Sequence, residues 1–188
     1  LTTFFSGYVD EHDLVTIGGY PGKLRDILGI WVEEEDALPK EMENSFSYQG
    51  KTYPAKMLCD LLHTEGAQAL SSYEKDFYAG MPVLTKNAFG KGYGYYVATS
   101  SDDAFYEDYL SEICAEAGIT PIMDTPATVE VTMRSNANGS FVFLLNHGEE
   151  TYETALPFAG TDLLTDTAYA QNDAITLKAK GVAIIKKA

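Results

Sequence analysis

The spacing of hydrophobic positions divides the chain into segments of different period. Leu24, Ile27 and Leu28 recur at i, i+3 and i+4, one face of a helix that starts at Pro21 and stops at Gly29. Proline suits the first helical turn, where its missing amide would have had no partner, and glycine suits a left-handed cap. Ile30, Trp31 and Val32 follow as a short strand that the acidic run Glu33–Asp36 is expected to end. Gln49 and Gly50 separate two alternating stretches, Phe46–Tyr48 and Lys51–Tyr53, as in a hairpin. Further strands are expected over Lys56–Leu62 and Ala67–Tyr73, and a second hairpin over Pro82–Phe89 and Tyr93–Thr99 about Gly90-Lys91-Gly92.

The best helical pattern opens at Ser100, whose spacing to Asp103 is that of a capping box. Tyr106, Leu110, Ile113, Cys114 and Ala117 form its stripe, expected to face the core, and Gly118 closes it. Beyond Thr120 the pattern shortens to period two. Thr128–Met133, Ser140–Asn146, Thr151–Leu156, Ile175–Leu177 and Val182–Ile185 read as short strands with no helical pattern between them. The boundary is expected near Pro121–Pro126, giving units of residues 1–122 and 123–188.

Charge changes the picture mainly by exclusion. Residues 1–118 hold 20 acids against 8 bases, and residues 119–188 hold 8 against 5, for a net charge of −15. Such a surface repels phosphate backbones and anionic bilayers, so nucleic-acid and membrane partners are not expected. The 45% hydrophobic content is enough for a sizeable core in 188 residues. Cys59 and Cys114 are too few for a disulfide framework and sit among apolar residues, which fits a reducing, cytoplasmic setting. No apolar run reaches the ~18 residues of a membrane span.

Candidate chemistry is sparse. Cys59, His63 and Glu65 would share a face of an extended strand, but three ligands at this spacing do not make a structural zinc pattern. His147 at a strand end reads as a turn residue, and Gly90-Lys91-Gly92 lacks the spacing of a phosphate loop. The adjacent Glu33, Glu34 and Glu35 cannot act as a glycosidase pair, because neighbours on a strand point to opposite faces. Asp10, Glu11, His12 and Asp13 form an acidic loop that either faces a neighbouring subunit or is simply solvated. In the second half, Phe141, Phe143, Tyr152, Phe158 and Tyr169 could offer a sugar platform, although Phe141 and Phe143 share a strand face expected to belong to the core.

Several motifs together resemble the glycoside hydrolase family 42 β-galactosidases. They are the Val9-Asp-Glu loop leading to Gly18-Gly-Tyr-Pro-Gly22 and the Leu24–Gly29 helix, then Ser72–Pro82 (SYEKDFYAGMP), Asn87–Thr99 (NAFGKGYGYYVAT), and Phe141–His147 (FVFLLNH) with Asp162–Thr165 (DLLT). The resemblance implies an α/β plus all-β architecture. An incomplete flavodoxin-like domain, similar to class I glutamine amidotransferases, would precede a small antiparallel β-sandwich. It implies a C-terminal portion of a homotrimeric enzyme whose catalytic barrel, with its two glutamates, lies elsewhere in the parent chain. No catalytic residue, cofactor or metal is then expected here. The amidotransferase likeness raises the question of a nucleophilic cysteine, but Cys59 lacks the flanking glycine of a nucleophile elbow and Cys114 lies mid-helix.

Overall fold

A computed structural model describes all residues, 1–188. They form two compact units, Leu1–Ile113 and Cys114–Ala188, and both are mostly β-sheet with few helices.

In the first unit the strands are β1 (Thr2–Thr3), β2 (Ile30–Ala37), β3 (Asn44–Tyr48), β4 (Lys51–Thr64), β5 (Gln68–Ser72), β6 (Pro82–Phe89), β7 (Gly92–Val97) and β8 (Thr99–Ser100). One sheet has the order β1-β7-β6-β5; β1 pairs parallel with β7 and the other pairs are antiparallel. The other is organised on β4, 14 residues long. Its first half pairs with β3 across the Gln49-Gly50 turn, where both residues take positive φ as a two-residue hairpin requires. Its second half pairs with β2, and β8 joins at Lys56 and Cys59 across an irregularity that contains Met57 at φ 66°. The expected hairpin strand and the expected Lys56–Leu62 strand are therefore one continuous element.

The opening helix is short. A 3-10 turn at Gly22–Leu24 leads into α1 (Arg25–Leu28), which ends on Gly29 at φ 61°, ψ 34°. This is the left-handed cap that the sequence predicts. Asn87 of β6 reaches over this end and donates to the carbonyls of Asp26 and Ile27, satisfying acceptors that a helix terminus leaves open.

Three expectations are corrected here. The acidic run does not end β2: the strand continues through Glu33–Asp36 to Ala37, with a bulge between Val32 and Glu34. Pairing with β4 holds these acids in the sheet. The second helix, α2 (Asp103–Glu116), is capped by Asp102, whose Oδ1 accepts from the Phe105 amide; Ser100 lies in β8 instead. Its buried residues are Phe105 and Tyr109; of the expected stripe, Tyr106 and Ile113 pack partly buried against the core, while Leu110 is 42% exposed and Ala117 is exposed. The face is set by aromatic packing. Phe105 lies edge-on to Phe46 at 5.1 Å and to Tyr53 at 5.3 Å. Tyr53 Oη and Lys51 Nζ donate to Asp108, and Tyr48 Oη donates to Glu112.

The second unit contains β9 (Val129–Asn136), β10 (Gly139–Asn146), β11 (Tyr152–Ala155), β12 (Gly160–Asp162), β13 (Ala168–Tyr169), β14 (Ala174–Leu177) and β15 (Val182–Lys187). A sheet of order β13-β12-β15-β10-β9 accompanies the antiparallel pair β11-β14, and every pairing is antiparallel. The core is Val129, Val142, Leu144, Leu156, Ile175, Leu177, Ala183 and Ile185. On β10 the buried positions are therefore the even ones, Val142, Leu144 and Asn146. Phe141 and Phe143 stand half-buried on the opposite face, so the expectation that they form the core is also corrected. The Asn146 side chain donates to the carbonyls of Glu150, Leu177 and Lys178, and this fixes which face of the strand turns inward.

Phe105→Ala is expected to cost about 3–5 kcal/mol, as for a buried aromatic. Leu110→Ala, on the exposed side of α2, is expected to cost less than about 1 kcal/mol. Urea unfolding followed by circular dichroism compares the two, and equal losses would contradict the assigned face.

Candidate functional site

The acidic loop is a small, locally bonded structure. Val9 bridges to Val15 in an antiparallel sense. Between them Asp10 Oδ1 accepts from the amides of His12 and Leu14, at 2.8 and 3.0 Å, an arrangement aspartate favours in turns. These bonds hold the Asp10 carboxyl below its usual pKa, because they favour its charged form. Glu11, His12 and Asp13 are exposed, and Glu11 lies 3.8 Å from Lys23. Around them Val9, Leu14, Val15 and Ile17 are also exposed, Ile17 almost fully.

Tyr20 attaches this loop to the body of the unit. Its carbonyl accepts from the Val32 amide at 2.9 Å, its ring meets Tyr8 edge-on at 5.5 Å, and its hydroxyl lies 2.8 Å from that of Tyr96. Tyr96 Oη in turn donates to Asp60 Oδ2 at 2.6 Å, so Tyr20 is the donor in the tyrosine pair. Asp60 is fully buried and its Oδ1 has no hydrogen-bond partner. Its cross-strand neighbour is Glu35, whose Oε1 is likewise buried without a partner. Burial, followed by the nearby Glu35 charge and against the Tyr96 hydrogen bond, pushes the Asp60 carboxyl up to about 7. Glu35 is raised too, by desolvation. Above this cluster Tyr8, Tyr20, Val32, Glu33, Glu34 and Glu35 line a cavity of about 220 Å³.

Sequence reading did not single out Asp60, Glu35, Tyr20 or Tyr96 as a group. One signal was present, an aspartate inside the apolar run Leu58-Cys59-Asp60-Leu61-Leu62. A buried acid needs a reason, and neighbours 25 and 36 positions away supply it.

The suggested Cys59, His63 and Glu65 set is not brought together. Cys59 is buried against Thr99, with Sγ 3.7 Å from its hydroxyl, and burial raises the thiol pKa. His63 stacks on Trp31 at 5.1 Å and meets Glu33 at 2.6 Å. Glu65 takes two bonds from Arg25, both at 2.5 Å, which lower its pKa and raise that of Arg25. No group of three His, Cys, Asp or Glu side chains is arranged to hold a metal ion. His147 pairs with Glu130 at 3.1 Å at the end of β10.

The same residues identify the family. Residues 1–120 match the β-galactosidase trimerisation domain, and residues 128–187 match the β-galactosidase C-terminal domain. The chain belongs to the glycoside hydrolase family 42 β-galactosidases. It is 47% identical, over its whole length, to the β-galactosidase BgaA of Planococcus sp. strain 'SOS Orange', and 37% identical to the β-galactosidase Pbg of Clostridium perfringens. In each case it spans only 28% of the relative's length. Among solved structures, the β-galactosidase of Bacillus circulans sp. alkalophilus superposes on the whole chain with a TM-score of 0.85 at 41% identity, over 29% of its own length. A family 42 β-galactosidase from G. stearothermophilus does so at 0.82 and 32%, over 28% of its length. No helix of this family 42 chain is long and apolar enough to cross a membrane.

Thiol chemistry separates the two cysteines. In the native chain Cys114, which is partly exposed, is expected to react with an aromatic disulfide reagent, while Cys59 reacts only after denaturation. Rapid labelling of both at neutral pH would contradict the burial of Cys59.

Proposed function

We propose that this chain is the assembly and structural portion of a family 42 β-galactosidase. It would support a catalytic barrel that carries the two reacting glutamates elsewhere in the parent. The observation that carries this reading is the match of residues 1–120 to a trimerisation domain, followed by the match of residues 128–187 to the C-terminal domain. The parent would hydrolyse terminal β-galactosides as a homotrimer in the cytoplasm. Within it, residues 1–122 form part of a flavodoxin-like, amidotransferase-related domain and residues 123–188 the β-sandwich. The parallel β1–β7 pair is in keeping with that reading, because parallel neighbours are joined by a crossover and not by a hairpin.

The loop Asp10, Glu11, His12 and Asp13 is the proposed subunit contact. It combines exposed acids with exposed Val9, Leu14, Val15 and Ile17, and a polar rim around an apolar patch suits an interface. A carbohydrate-binding role for the second unit is the alternative. Its support is weaker, because Tyr152, Phe158 and Tyr169 pack against the unit's own core and the Lys187 ammonium sits 4.8 Å over the Phe158 ring.

The chain alone is expected to show no turnover of a chromogenic β-galactoside; measurable hydrolysis would overturn the non-catalytic reading. Substituted for the matching 28% of the Planococcus relative, it should support a multi-subunit enzyme by analytical ultracentrifugation. The variant Asp10→Ala, Glu11→Ala, Asp13→Ala should shift that chimera toward smaller species. An unchanged mass would remove the loop from the interface. A saturable change in Trp31 or tyrosine fluorescence on titration with galactosides would favour the binding module instead.

A further inference from the structure

We propose that Asp60 and Glu35 hold a single proton between them in the folded unit, and that losing it loosens the acidic loop that Tyr20 fastens to the sheet. This goes beyond the assembly reading, since it concerns the chain's own conformation whether or not subunits associate.

The geometry supports it in three ways. First, Asp60 and Glu35 are directly paired across β4 and β2, so their side chains stand on the same sheet face a few ångströms apart. Second, no cation faces them. The titratable groups around Asp60 are Glu35 on β2, Tyr96 on β7, Tyr20 at the end of the loop and Tyr73 beyond β5, none of which carries positive charge. Asp60 is fully buried and Glu35 half-buried beside it, so without a counter-charge Asp60 does not ionise cheaply and keeps its proton. Third, the oxygens are already divided between roles. Asp60 Oδ2 accepts from Tyr96, leaving Oδ1 as the oxygen free to carry the proton, and Glu35 Oε1 has no hydrogen-bond partner.

The same hydrogen-bond chain makes the proton matter to the loop. Tyr20 donates to Tyr96 and Tyr96 to Asp60, and Tyr20 also bridges to Val32 and packs against Tyr8. When the proton is lost, the buried Asp60 carries a charge beside the half-buried Glu35. Glu35 already lines the cavity beside Tyr8 and Tyr20, whereas Asp60 does not, so on this proposal hydrating the Asp60 charge displaces Tyr96 and the Tyr20 hydroxyl bonded to it. The sign follows from proton linkage. Asp60 is raised from 3.8 to about 7 on folding, so the folded state binds the extra proton between these values. The contribution of Asp60 to stability is therefore full below about pH 4, falls as pH rises toward 7, and stays low above. Undocking the loop leaves Asp60 in the sheet and relieves only part of that shift, so between pH 5 and 7 the equilibrium for the docked loop should fall by less than about tenfold per pH unit.

Hydrogen exchange tests this in the purified chain, with rates corrected for intrinsic pH dependence. The loop itself carries Asp10, Glu11, His12, Asp13 and the nearby Lys23, and Glu33 of the cavity pairs with His63. A His12→Gln, His63→Gln background therefore removes both imidazoles. Protection of amides 8–20 should fall between pH 5 and 8, while amides in β10 and β15 of the second unit serve as the control. In Asp60→Asn, which keeps an acceptor for Tyr96 but cannot ionise, the fall should vanish. In Glu35→Gln, which removes the repelling charge, it should move to lower pH. An Asp60→Asn profile identical to its parent would overturn the proposal. If that variant does not fold, an unmoved profile in Glu35→Gln overturns it. Because the readout is loop protection and not subunit mass, its failure is distinct from failure of the assembly reading.

Discussion

The first unit depends on the burial of β4 on both faces from Leu58 to Leu62. A strand of half-buried character needs cover on one side only, but this one must be covered twice. Its two halves recruit different partners: β3 through Lys51–Ala55 and β2 through Leu58–Thr64. The irregularity around Met57 divides the two regions, and β8 pairs on either side of it. The aromatic side chains Phe46, Tyr53, Phe105 and Tyr109 then seal one end with α2.

That double burial explains the polar chemistry. Asp60 sits in the middle of the buried stretch, and an acid there must be paired, hydrogen-bonded or neutral. Here one oxygen is bonded by Tyr96 and the other is not, and the neighbouring strand supplies another acid in place of a base. A position occupied by an apolar residue would have been simpler to bury. The Asp60 chain instead runs out through Tyr96 to Tyr20, so a buried acid with one unpartnered oxygen is connected to the segment that holds the acidic loop. The opposite face of β4 behaves differently: Cys59 finds Thr99, and Asp36 accepts from Tyr78 at 2.8 Å. The two faces of one strand thus carry one satisfied polar set and one strained for want of partners.

The second unit is governed by a simpler constraint. Asn146 at the end of β10 is buried and gives its amide hydrogens to three carbonyls, which fixes Val142 and Leu144 inward and Phe141 and Phe143 outward. A one-residue change of register would reverse every side chain on the strand. Either set of alternating apolar residues could have filled the core, and hydrophobicity alone did not choose between them.

Much of the architecture was legible in the sequence because it rests on local chemistry. The turns at Gln49-Gly50 and Gly90-Lys91, the cap at Gly29 and the alternating strands after Thr128 follow from backbone preferences that a few adjacent residues express. The family, too, could be read from motif wording, since those motifs are contiguous. Tertiary structure alone decided which face of α2 is buried, how far β2 runs through its acids, and which side of β10 turns inward. Each depends on partners from distant segments: Phe46 and Tyr53 for Phe105, β4 for Glu33–Asp36, Leu177 and Lys178 for Asn146. The Asp60–Glu35 pair belongs to the same class. A single buried aspartate was visible in the sequence, but its neighbour is a property of strand register, and register exists only once the sheet has formed.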